Sequence, residues 1–223
     1  MSRKQKRKAV LSRRRSALRA VAITLTVMLL INHIMHIGLL FPIQAIWQLE
    51  ERAGITHARV VERSWTPEIH KTHIAYLTEN DEATMFGSCH LTLYGWMAAF
   101  EVTLDCSEEA PLYAGHSYMY RDENRAWYIF GRVDDPEIQR VEISLQSDEW
   151  DNETQTYFCE EVRRITEVEL EEQSGRRYFL VKDGGQWDSN EYSSPKTVVL
   201  GYDSGGNEVV RLEITEGNFS GFG

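Results

Sequence analysis

His70 and His73 stand at i and i+3, a loose version of zinc-ligand spacing, so metal chemistry is the first possibility the sequence raises. Neither the glutamate of the helical zinc motif nor a paired cysteine set accompanies them, and no metal site or cofactor is expected. Gly115-His116-Ser117-Tyr118 has the wrong order for a nucleophile elbow, and there is no glycine-rich phosphate loop. No catalytic residue is assigned. The carboxylates Glu160, Glu161, Glu167, Glu169, Glu171 and Glu172 are dense, and strand alternation would put Glu167, Glu169 and Glu171 on one face. With Arg163, Arg164, Arg176 and Arg177 nearby, that face reads as solvated; a surface for a divalent ion or a basic partner is the sharper alternative. Asp203, Asn207 and Glu208 offer calcium-type oxygens, but hairpin chemistry explains them first.

Cys89, Cys106 and Cys159 are odd in number, which leaves at least one unpaired. Cys89 and Cys106 flank two adjacent candidate strands with Gly95 near the bend, so a disulfide across a hairpin is one reading. It would contribute about 3 kcal/mol by the loop-entropy argument. The other reading makes all three small buried hydrophobes. Trp150 and Trp187 lie in polar, turn-like sequence beside Asp148, Asp151 and Asp188, where exposed rings would suit contact with a protein partner or a glycan. Packing at the corners of a β-sandwich is the competing account.

These residues must be carried by a chain of two opposite halves. The first nineteen residues hold nine Lys or Arg and no acid. Beyond them lie 15 basic and 34 acidic residues, a net of −19. Between the halves, residues 20–41 carry no charge, and a helix of that length would be about 33 Å long, enough for a hydrocarbon core of roughly 30 Å. The expectation is a transmembrane helix with a cytoplasmic basic tail, oriented by the positive-inside rule. The tail would lie on anionic lipid, whereas the acidic bulk would be repelled from lipid and nucleic acid alike. A cleaved signal peptide is the second reading and an organellar transit peptide the third. Asn32 to Ile37 contain no small-x-small cleavage pattern, which favours an uncleaved signal-anchor. His33 and His36 share one face of this segment near its outer end, where they reach headgroups more readily than they form a ligand set.

After Pro42, Ile43, Ile46, Leu49 and Ala53 recur at helical spacing up to Gly54, predicting a juxtamembrane helix with Trp47 available as an interfacial aromatic. From there the period becomes two. Val141, Ile143 and Leu145 oppose Arg140, Glu142 and Ser144; Val210, Leu212 and Ile214 oppose Arg211 and Glu213. One dry face and one wet face per strand is the mark of antiparallel sheets. Seven candidate strands between Ala126 and Thr215, one of them at Ile165 to Leu170, predict a mainly β chain ending in a β-sandwich of immunoglobulin-like size. The expected organisation is tail 1–19, transmembrane helix 20–41, stalk 42–54, a β-subdomain or extra sheet at 55–120, and the sandwich at 125–217.

Phe130-Gly131-Arg132-Val133-Asp134-Asp135-Pro136-Glu137-Ile138 leading into Val141-Glu142-Ile143, together with Gly201-Tyr202-Asp203 and Gly206-Asn207-Glu208-Val209, resemble segments of short uncharacterised proteins of Gram-positive bacteria. Those have a basic start, one span and an extracytoplasmic β-domain. The resemblance implies a cell-envelope location and carries no catalytic motif. The functional expectation is a membrane-anchored, non-catalytic interaction module with an envelope protein or glycan as partner. A cell-envelope hydrolase or metal-dependent enzyme with an unrecognised site is the alternative.

Overall fold

The computed structural model describes residues 3–35, 39–56, 58–67, 70–121, 124–151, 156–183, 196–214 and 218–221. Helix α1 (Arg3–Met35) runs unbroken from the basic tail into the apolar segment. Its threonine hydroxyls turn back onto the helix, Thr24 Oγ1 donating to the Ala20 carbonyl at 3.0 Å and Thr26 Oγ1 to that of Ala22 at 2.9 Å, while Val21, Ile23, Leu25 and Met28 stay exposed. Among the described residues no helix is long and apolar enough to cross a membrane. The expected span to Phe41 is also shorter as a helix. Residues 36–38 lie outside the described residues, Leu39 forms a two-hydrogen-bond bridge with Trp96, and Phe41 is extended.

Helix α2 (Pro42–Arg52) starts where Pro42 fixes the first turn and Gln44 Oε1 accepts the backbone N–H groups of Leu40 and Phe41 at 3.1 and 3.0 Å. It ends, as the sequence predicts, at Gly54. With φ +74°, Gly54 lets its own N–H reach the Glu51 carbonyl and that of Ile55 reach Glu50, closing the helix in a Schellman motif.

The rest of the described chain is mainly β. A first sheet is a meander of β1 (Arg59–Trp65), β2 (Ile74–Glu79), β3 (Ala83–Thr92) and β4 (Gly95–Asp105). The second sheet orders β5 (Leu112–Arg121), β6 (Asn124–Val133), β9 (Glu171–Gln173), β10 (Arg176–Asp183) and β13 (Asn218–Gly221) as β13-β5-β6-β10-β9. The third holds β7 (Arg140–Asp151), β8 (Thr156–Ile165), β11 (Lys196–Tyr202) and β12 (Glu208–Ile214) in the order β12-β11-β7-β8. Every pairing among these described strands is antiparallel except β13 beside β5.

The sheets stack. On β6, Trp127, Ile129 and Val133 meet Val141, Ile143, Leu145 and Val199 of the third sheet. The alternate residues Ala126, Tyr128 and Phe130 meet Ala75, Leu77 and Phe86 of the first. The second sheet is thus a central layer buried on both faces, and α2 covers the outer face of the first sheet through Ala45, Ile46 and Leu49. Crowding by the two neighbouring strands of the second sheet accounts for Gly131: a Cβ there would stand 2.2 Å from the Tyr113 carbonyl oxygen on β5 and 2.5 Å from the Phe179 ring on β10.

Strands β5 and β6 pair as an antiparallel hairpin through ten cross-strand pairs, from Leu112 with Val133 to Arg121 with Asn124. One expected strand is absent. Residues 166–170 form no strand, and β8 ends at Ile165.

Candidate functional site

A polar concavity lies at the end of the stack where three connections converge, the β2–β3 turn, the β4–β5 loop and the β6–β7 turn. Its base is Arg132, which alternation on β6 directs towards the first sheet; only 2% of it is exposed. The guanidinium donates to Asp134 at 2.6 Å, reaches the carbonyls of Asp81 at 3.4 Å and of Asn80 and Cys106 at 3.5 Å, and lies 4.9 Å over the Tyr113 ring. Tyr113 in turn holds the loop. Its hydroxyl donates to the Glu108 carbonyl and accepts the Ala110 N–H at 2.9 Å. Burial pulls the Arg132 pKa down, but Asp134 outweighs it and holds the guanidinium firmly charged.

A second set of charges borders the first. Buried Glu79 pairs with Arg59 and lies 3.9 Å from Arg176, which donates to Asp81 at 2.7 Å. The Arg176 hydrogen bond holds the Asp81 carboxyl below its ordinary range. Each of these guanidiniums is therefore committed to a carboxylate, and the rim adds Glu108, Glu109 and Asp135. Cys106 also borders the cleft, yet desolvation raises its thiol pKa, the opposite of what an attacking thiolate needs. The arrangement suits recognition of a polar or cationic group by rim carboxylates. It assembles no nucleophile with a base.

A histidine cluster sits at the other end of the first sheet. The pairing of Ile74 with Cys89 brings the neighbouring His73 and His90 together, and the His70 and His90 rings lie 5.3 Å apart. His73 is fully buried, its pKa lowered to about 4 by desolvation first and by His90 and His70 next. Among the described residues no group of three or more His, Cys, Asp or Glu side chains is placed to hold a metal.

The sequence-predicted site residues are scattered. Cys89 and Cys106 are free, buried thiols, which corrects the disulfide reading. Cys89 pairs with Ala98 while the Cys106 N–H bonds to the Glu82 carbonyl, so the two lie seven β3 positions apart, about 23 Å at ~3.3 Å per residue, whereas a bridge needs Cα atoms within ~7 Å. Trp150 is on β7 opposite Tyr157, in a strand rather than a turn, ten residues along β7 from the cleft end. Trp187 lies outside the described residues. Glu169 and Glu171 gather near Glu62, whose carboxyl is pushed up to about 7 by burial and then by those two charges. Asp203 serves the β11–β12 turn, its Oδ1 accepting the N–H groups of Gly205 and Asn207 at 2.8 Å each. Sequence reasoning missed Arg132. Its available signal was an arginine inside an apolar strand, two residues before Asp134 and hence on the same face. No protein-family model, curated protein or solved structure matches the chain.

Proposed function

We propose that this chain is a single-pass membrane protein of the cell envelope, with its basic tail in the cytoplasm and its β-domain displayed on the far side as a non-catalytic interaction module. The observation that carries the reading is the charge step along α1, nine basic residues followed by uncharged sequence from residue 20 to 41. Its apolar side chains are exposed and its hydroxyls are satisfied within the helix, as a lipid environment requires. A binding rather than catalytic role is supported by the Arg132 cleft, whose guanidiniums are paired and whose thiol is kept protonated. The partner is an envelope protein or glycan. A reporter active only outside the cytoplasm, fused after Gly223, is expected to be active. An inactive fusion in a membrane fraction that retains the protein refutes the orientation.

A further inference from the structure

The turn between β3 and β4 is apolar where a turn is ordinarily polar. Leu91 to Met97 carry no charge in a chain with 34 acidic residues. Leu93 is 99% exposed, and Tyr94, Leu40, Phe41, Trp47 and Trp65 are exposed as well. All but Trp47 lie at strand ends or chain segments at one end of the first sheet, because Trp65 pairs with Ile74, Ile74 with Cys89, and Leu39 with Trp96. Clustered exposed aliphatic and aromatic side chains of this kind mark a contact surface.

Two features of the fold say what it contacts. The turn lies alongside α1, where Leu25, Met28 and Ile31 form a groove with Leu39, Leu91 and Tyr94. Leu25 is ten residues before the end of α1, so the contact reaches about 15 Å back along the helix at ~1.5 Å per residue. The Leu39–Trp96 bridge, meanwhile, leaves only four residue steps after Met35, at most about 14 Å of chain. The chain therefore cannot carry this end of the sheet more than about 14 Å from the end of α1.

We infer that the β3–β4 turn is a second membrane contact, with Leu93 and Tyr94 meeting lipid beside α1. The inference rests on the anchor reading of α1, and the occupant is lipid. Mixed apolar and aromatic residues without acids are the composition that partitions into the interface, where tyrosine and tryptophan keep a polar atom wet. The opposite end of the sheet, with Asp81 and the Arg132 cleft, then points away from the bilayer.

The test uses full-length protein with a photoreactive benzoylphenylalanine in place of Leu93 or, as control, of the exposed Glu82 at the far end of the same sheet. Each is reconstituted in phosphatidylcholine–phosphatidylglycerol vesicles, floated on a density gradient and irradiated, and adducts are read by mass spectrometry. At position 93 the yield of lipid adduct is expected to exceed that at position 82 by at least tenfold. Floated protein with equal yields at the two positions, or with position 93 cross-linked only to a second copy of the chain, overturns the membrane contact and leaves the anchor standing. Protein that fails to float overturns the anchor and the contact with it.

Discussion

Acid should destabilise this fold through a histidine between two sheets, and the size of the effect follows from its surroundings. His116 on β5 is 4% exposed; its Nδ1 is 2.9 Å from Thr197 Oγ1 and its ring 4.9 Å from that of Trp127. Desolvation lowers its pKa from 6.5 to about 4. A group with a depressed folded pKa contributes stability that is present above its unfolded value and is lost as pH falls through the folded one. Between pH 7 and pH 5 that loss is about 2 kcal/mol, approaching 3 near pH 4, because each tenfold change in a proton-binding equilibrium is worth ~1.4 kcal/mol. His116→Gln retains a hydrogen-bonding group towards Thr197 but does not titrate. Full-length protein in nonionic detergent, unfolded in urea at pH 7 and pH 5 and followed by circular dichroism, should therefore lose about 2 kcal/mol more than the variant does across that interval. His73, which also titrates near 4, and Glu62, which destabilises in the opposite sense as pH rises from 4.5 towards 7, act in both proteins and cancel. Parallel pH profiles for the two proteins would refute a neutral, desolvated His116.

Four substitutions probe the architecture more directly. Gly131→Ala places a methyl group against a backbone carbonyl that cannot yield, and the midpoint of thermal unfolding should fall in keeping with a loss of about 3 kcal/mol. Asp134→Asn leaves Arg132 charged and buried without its counter-ion, at a cost of about 2–3 kcal/mol, whereas Arg132→Met leaves only a partly exposed carboxylate and should cost less; denaturant titration of the pair reads the asymmetry. Gly54→Val forces a β-branched residue to φ +74° and should destabilise by at least about 1 kcal/mol, with helix loss at α2 visible as faster amide exchange near Leu49.

Legibility of the sequence tracked how many faces of an element are wet. On β12, Glu208, Arg211 and Glu213 stay exposed while Ile214 is buried, so the strand and its Asp203 turn could be read from residue type alone. Strand β5 could not. It belongs to the central layer, where Gly115 faces Leu104 of one neighbouring sheet and His116 faces Thr197 of the other, and covering both faces erases the period of two. Without β5, the sequence does not show that Arg121 and Asn124 pair across two strands of one sheet. The cysteine reading failed for a related reason: two residues flanking a hairpin face each other only when the register makes them partners, and the turn at Thr92–Gly95 puts Cys89 near the tip and Cys106 at the open end. The Arg132 cleft is long-range, assembled from turns that sequence places 26 and 52 residues away from the arginine. The apolar β3–β4 turn, by contrast, was visible as letters, but only its position beside α1 gives Leu93 and Tyr94 a meaning.

The central layer also sets a timetable for synthesis. Residues 59–105, the whole first sheet, leave the ribosome before any residue that covers its inner face, and Tyr178 follows Asp105 by 73 positions. At ~5–20 residues per second, Ala75, Leu77 and Phe86 wait roughly 4–15 s for β6 and β10 to arrive. A nascent sheet with an uncovered apolar face is a substrate for chaperones and a nucleus for aggregation. Chains that terminate between residues 105 and 178 would therefore be lost to quality control rather than accumulate as a smaller β-domain, whatever the fate of the helix that precedes them.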